Sequence, residues 1–322
     1  MTELRPGDQL DHFRIEALAA RSGMASIFRA IDLNTGHPVA IKVPHFEMEC
    51  DPVFFDRFQR EAQIGRDLAH PGVMKVMPDD STGRVYMVME WLEGRLLREI
   101  LAAEGKLPPQ RAVGIALAIC DALDYIHNHG VVHRDLKPEN IMVDAEDRVK
   151  LIDFGIASKA GARRLTFGKF SQLMGTAEYI SPEQVNGKRG DARSDIYALG
   201  VMLYEMLTGR APFQGVNPLA IMNDRLRNHP VPPREIDPRI SPELQEVVYR
   251  ALERTPAKRY SKAGDLAWDL ENPAQAPVAD RAELSTRTQS PEPLAKRIAF
   301  YGLLAAVPAL IFGLLIYVAR QG

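Results

Sequence analysis

Cysteine is scarce: Cys50 and Cys120 are the only two in 322 residues. That number allows no disulfide framework and no thiolate metal cluster, and it fits a reducing compartment. Charge of one sign is lacking as well. The formal net charge is -2, so nothing in the bulk electrostatics draws the chain to nucleic acid, and nucleic acid is not expected as a partner. The stretch 1–14 has no apolar core, so no secretory leader is read there. No internal repeat occurs. What is present is 46% hydrophobic and 25% charged residues, a globular composition. The length fits a two-lobed domain of about 250–270 residues with segments to spare.

Hydrophobic patterning divides the chain. Residues 1–12 form a polar N-terminal extension. From 13 to 92, strand-like runs (Val39–Val43, Val85–Met89) surround one helical stretch. Asp51 is placed to cap that helix and Pro52 suits its first turn. Phe55, Phe58, Ala62 and Ile64 or Leu68 supply its apolar stripe. From 93 to 271 the pattern is mostly helical. Pro109–His129 ends at Gly130, Ser194–Thr208 ends at Gly209, and further helices are predicted over Pro242–Arg254 and Ser261–Leu270. A strand-rich small half before a helix-rich large half reads as α+β in two lobes. Residues 272–297 carry Pro273, Pro277, Pro291 and Pro293 among polar residues, which predicts a linker.

Long apolar runs are missing until the tail. Ile298–Ala319 is 22 residues without a charge. As a helix it would extend about 33 Å, the thickness of a bilayer core. Tyr301 and Tyr317 stand near its ends, where aromatic rings prefer the interface. The alternative is a buried core helix, although such helices seldom stay apolar all round for this length. Pro308 is tolerable within a span. Lys296 and Arg297 precede it, and only Arg320, Gln321 and Gly322 follow. The expectation is a single-pass membrane protein with no outer sensor domain, and the two charges before the run against one after it lean slightly toward a cytoplasmic large domain. Ala305, Ala309 and Gly313 form a small-residue face that would pair two copies as a homodimer, a pattern that also arises by chance.

The chemistry lies in four short segments: Val39-Ala40-Ile41-Lys42, His133-Arg134-Asp135-Leu136-Lys137-Pro138-Glu139-Asn140, Asp153-Phe154-Gly155 and Ser181-Pro182-Glu183. Their order and spacing match the signature set of protein kinases. Over residues 13–271 the chain resembles the eukaryotic-like Ser/Thr protein kinases of bacteria. The resemblance implies a two-lobed fold, ATP with Mg2+ (or Mn2+) as cofactors, and protein substrates.

It also implies roles. Lys42 would meet the α- and β-phosphates, held by Glu61, whose other reading is an exposed helix glutamate. Asn140 and Asp153 would bind Mg2+, which favours few protein oxygens plus phosphates and water. Asp135 would orient the substrate hydroxyl and Lys137 would stabilise the moving phosphoryl group. Lysine at that position is similar to Ser/Thr-specific members. Adenine is expected beside Met89, bonding the backbone of Glu90 and Leu92, with Ala19, Ile27 and Ala40 around the nucleotide. Arg134 would pair a phosphate on the activation segment. Thr166 and Ser171, near Lys159, Arg163, Arg164 and Lys169, are the acceptors expected there, or else merely exposed loop hydroxyls. Thr176, after Gly175, would by the same resemblance belong to a substrate-docking loop and bond Asp135 and Lys137. Glu183 would pair with Arg259, and Asp195 would hold the catalytic-loop backbone.

One departure stands out. In the register set by Ile27, Ala20, Ser22 and Ala25 occupy the positions of the family's three phosphate-loop glycines, and only Gly23 remains between them. Glycine at 23 is expected to permit positive φ and close approach to phosphate. The degraded loop keeps open a catalytically impaired pseudokinase scaffold, and a small-molecule phosphotransferase is the other alternative. A stiffer loop predicts a raised KM for ATP with activity retained. Restoring glycine at Ala20 and Ser22 should lower the Kd for ATP in a nucleotide titration; an unchanged Kd contradicts this reading of the loop.

Overall fold

The computed structural model describes residues 4–45, 48, 51–78, 85–153, 158–159 and 177–276. Cys50, Phe154, Gly155, Lys159's side chain, Thr166, Ser171, Thr176 and Ile298–Ala319 lie outside that description. Among the described residues, no helix is long and apolar enough to cross a membrane.

The small lobe is an antiparallel sheet of β1 (Gln9–Leu10), β2 (Phe13–Arg21), β3 (Ala25–Asp32), β4 (Pro38–Pro44) and β5 (Met87–Glu90), in sequence order. Period-2 alternation gives it two faces. Phe13, Ile15, Phe28, Val39, Ile41 and Val43 pack on one side. Ala40, Met87 and Met89 face the other. Helix α1 (Pro52–Asp67) lies on that second face. The Asp51 carboxylate caps it, accepting from the amides of Val53 at 2.9 Å and Phe54 at 3.4 Å, a motif worth about 1 kcal/mol. Phe58 and Ala62 pack on the sheet, while Ile64 and Leu68 join the core of the large lobe. Phe55 stays partly exposed, and its neighbour Phe54 packs against the sheet-side cluster instead. Gly65 permits the close approach of α1: a Cβ there would sit 2.2 Å from a Val76 methyl.

The large lobe begins with a three-stranded sheet made of β6 (Arg95–Leu96), β7 (Ile141–Val143) and β8 (Val149–Leu151). Between β6 and β7 run α2 (Leu97–Glu104) and α3 (Pro109–Asn128). Then follow α4 (Ala192–Thr208), α5 (Pro218–Arg227), α6 (Pro242–Ala251) and α7 (Ala263–Glu271). Every residue of α4 from Ser194 to Thr208 is buried, so it is the helix around which the lobe is packed. Asp191 caps its start through the Arg193 amide, two residues ahead of the predicted boundary, and Gly209 ends it at φ 74.

Other boundaries shift for local reasons. Helix α6 stops at Ala251 rather than Arg254, because the carbonyls of Glu253 and Arg254 turn to the Arg259 guanidinium. Helix α7 starts at Ala263, since Lys262 is extended. Residues 272–276 fall in the stretch whose composition predicts a linker. They instead form a short 3-10 turn at Pro273–Gln275, and Ala276 is buried in the main core.

Candidate active site

Lys42 stands on β4, on the same face as Ala40 and therefore toward α1. Its Nζ lies 2.6 Å from Glu61 Oε1 and 3.7 Å from Asp153 Oδ1. Glu61 is 5% exposed, so it is not a solvated helix glutamate. Burial works to lower the Lys42 ammonium, but the charges of Asp153 and Glu61 outweigh it and the net shift is upward. Burial raises the Glu61 carboxyl and Lys42 opposes that rise. The lysine therefore remains a fixed positive charge at neutral pH.

The catalytic loop is held from beneath by one carboxylate. Asp195, on α4, accepts from the amides of His133 at 2.8 Å and Arg134 at 2.7 Å, and contacts His127 Nε2 at 2.8 Å. Arg134 adopts φ 65, a conformation that a non-glycine residue keeps only when its surroundings enforce it. His133 is buried, as befits a packing role. In the loop so held, Asp135 Oδ2 meets Lys137 Nζ at 2.7 Å, while Asp135 Oδ1 is buried with no hydrogen-bond partner among the described residues. An unmet carboxylate oxygen is costly inside a protein and is the acceptor that a substrate hydroxyl would satisfy. Asn140 donates from Nδ2 to the Asp135 carbonyl at 2.9 Å, which leaves its amide oxygen for a hard cation. Its own carbonyl accepts from the Ile152 amide at 3.1 Å, and this brings Asn140 beside Asp153. Those two oxygen-bearing side chains suit Mg2+ shared with phosphates.

Above them, Ile27, Leu92 and Ile152 edge the same apolar cluster as Ala40 and Met89, a slot of the right character for a purine ring. Ala19 and Ala20 lie near the end of β2, and both are exposed. The β2–β3 turn is clasped by Ser22. Its hydroxyl donates to the Ala25 carbonyl at 3.0 Å and accepts from the amides of Met24 and Ala25 at 3.3 and 3.1 Å. Gly23 is not in the left-handed region, and a Cβ there would meet nothing within 4 Å. The positive φ that glycine permits at 23 is not used here, and the serine clasp shapes this turn.

Several functional contacts have no sequence signal. The Glu90 side chain, for which only backbone roles are expected, takes the Lys75 amide at 2.7 Å and Lys150 Nζ at 2.5 Å. It thus ties the hinge to β8. Arg98, on α2, bonds Glu139 and Glu205 at 2.8 Å each and also the Tyr179 hydroxyl. In this way it joins the catalytic loop to the segment before Ser181. Glu183 and Arg259 form the expected pair, with two bonds of 2.7 Å, and Ser194 adds a third to Glu183. Gln184 reaches the Arg134 carbonyl at 3.1 Å.

A strand lysine locked to a helix glutamate, a carboxylate-bearing loop under an apolar slot and two lobes of this construction define a protein kinase domain. Residues 21–269 match the family described as "Protein kinase domain", and the chain belongs to that family. It is 39% identical over 281 residues to the serine/threonine-protein kinase PknB of Mycolicibacterium smegmatis, covering 84% of this chain and 44% of the relative. It is 37% identical over 294 residues to the probable serine/threonine-protein kinase PknB of Corynebacterium glutamicum, covering 88% and 46%. The chain thus spans less than half the length of these curated relatives. Among solved structures, the kinase domain of Mycobacterium tuberculosis PknI superposes with a TM-score of 0.65 at 25% identity, covering 84% of this chain and all of that one.

Buried carboxylates make the frame pH-sensitive. Burial pushes Glu183 up, but the Arg259 hydrogen bonds and charge prevail and hold it below its ordinary 4.5. Burial likewise opposes Asp195, which His127 and the loop amides hold low. A lowered carboxylate contributes stability above its unfolded value, and that contribution is lost as pH falls through the native one. Stability in urea should therefore drop on acidification below 4.5. Glu183→Gln should be about 3–5 kcal/mol less stable at neutral pH and lose less on further acidification. Parallel losses in both proteins would contradict the assignment.

Proposed function

We propose that this chain is a serine/threonine protein kinase that transfers the γ-phosphoryl group of ATP, with Mg2+, to protein hydroxyls. The observation that carries this is Asp135, whose buried Oδ1 has no partner among the described residues while Lys137 holds Oδ2. In this reading Asp135 orients the hydroxyl and accepts its proton, and Lys137 stabilises the phosphoryl group in flight. Lys42, set by Glu61, draws the α- and β-phosphates. Asn140 and Asp153 hold the metal. Arg134 receives a phosphate on the activation segment, with Thr166 or Ser171 as acceptor, and Thr176 sits by the catalytic pair. The purine rests by Ile27, Ala40 and the hinge at Glu90 and Leu92.

Ile298–Ala319 anchors the kinase to a bilayer, with the kinase domain on the cytoplasmic side where ATP is found. The small-residue face at Ala305, Ala309 and Gly313 pairs two copies. The support is the charge-free run of 22 residues with Lys296 and Arg297 before it. The glycine-poor phosphate loop favours a second reading, an impaired scaffold.

Intact-mass and phosphopeptide analysis of the full chain with Mg-ATP, beside Asp135→Asn, separates these. The expected result is phosphate on the wild type alone, mapped to Thr166 or Ser171. Nucleotide binding without phosphate on either chain would favour the scaffold. Transfer only to small hydroxyl compounds would favour a small-molecule phosphotransferase.

A further inference from the structure

Helix α5 docks on the large lobe through a cation. Of its ten residues, only Arg225 is buried, and it is 0% exposed while Leu219 of the same helix is 65% exposed. Burying a guanidinium is costly unless its hydrogens find acceptors. Among the described residues no carboxylate forms an ion pair with it. Instead, Nη1 donates to the Ala177 carbonyl at 2.7 Å and Nη2 to the Glu178 carbonyl. The rings of Phe213 and Tyr197 flank the guanidinium carbon at 5.6 and 5.9 Å, close enough for cation–π attraction. A planar fork suits two neighbouring carbonyls in a way that the single ammonium of lysine does not.

Those two carbonyls belong to the residues directly after Gly175-Thr176. The next residue, Tyr179, is bonded to Arg98, and Arg98 reaches Glu139 in the catalytic loop. Residues 177–179 are thus fastened on one side to the catalytic loop and on the other to α5. We infer that Arg225 is a positioning residue for the protein substrate. It fixes the backbone of the docking segment so that a protein hydroxyl reaches Asp135, and it has no part in binding ATP. This rests on the protein kinase reading.

The full-length wild type, Arg225→Met and Arg225→Lys are compared with casein as substrate. Casein is varied at saturating Mg-ATP, then ATP at saturating casein, and amide hydrogen exchange is followed in parallel. Arg225→Met should lower kcat/KM for casein about tenfold and leave the KM for ATP within about twofold. Exchange should quicken at 177–181 and stay unchanged in α4. Arg225→Lys, which keeps the charge but not the fork, should recover part of the loss. Unchanged casein kinetics in a folded Arg225→Met would overturn the inference. So would equal losses toward casein and ATP with faster exchange throughout, the mark of a purely structural role. Should Arg225→Met not fold, Arg225→Lys decides by the same criterion: a loss confined to casein supports the inference, and no loss or an equal loss overturns it. A wild type that phosphorylates neither casein nor itself would instead remove the kinase reading and with it the substrate role. Quicker exchange at 177–181 alone would then leave Arg225 as a structural clamp.

Discussion

The 2.6 Å contact between Lys42 and Glu61 is the constraint on which the small lobe depends. A lysine has four rotatable carbons and keeps one position only if a fixed anion holds it. That anion sits on a helix, so the helix must come close to the sheet. Gly65 allows the approach, Asp51 starts the helix at the right residue, and Phe58 and Ala62 press it onto the face that Ala40 shares. Because Ile64 and Leu68 of the same helix are rooted in the other lobe's core, the charge pair also reports how the two lobes meet. Asp153, 3.7 Å from the ammonium, is where that report reaches the end of the site beside Asn140.

The large lobe uses buried charge differently. Asp195, the Glu183–Arg259 pair and Arg225 each spend their hydrogen bonds on backbone or on each other, and all four are at least nine-tenths buried. Apolar residues of equal volume often stabilise a core as well or better. What the charged groups add is direction. Asp195 forces Arg134 into a left-handed turn, Arg259 collects loop carbonyls beyond α6, and Arg225 collects those of residues 177 and 178. The catalytic loop and the segment opposite it are thereby placed by hydrogen bonds of defined geometry on a rigid helix.

Legibility in the sequence followed the range of the interactions. Helix starts and stops set by Asp51, Gly130 and Gly209 were readable because capping is local. So was the alternation of β4, which puts Ala40 and Lys42 on one face. The motif residues Lys42, Asp135, Asn140 and Asp153 were readable because the segments that carry them resemble those of a known family. Ends decided by distant partners were not readable. Arg259 stops α6 early from the far side of a loop, and the core reclaims Ala276 from a proline-rich stretch. Arg98, Glu90 and Arg225 resemble any helix or strand-end charge until the fold brings them to residues 41, 60 and 48 positions away. The Ser22 clasp shows the opposite lesson: a local hydrogen bond can take over a turn where glycine was expected.

Substrate-saturation kinetics of Glu61→Gln in the full chain test the central pair most directly, because the substitution keeps shape and removes the anion. If Glu61 fixes Lys42 for phosphoryl transfer, kcat/KM for ATP should fall about 10- to 100-fold while the melting temperature changes little. Wild-type kinetics in Glu61→Gln would contradict that role and make the contact a packing feature of the small lobe.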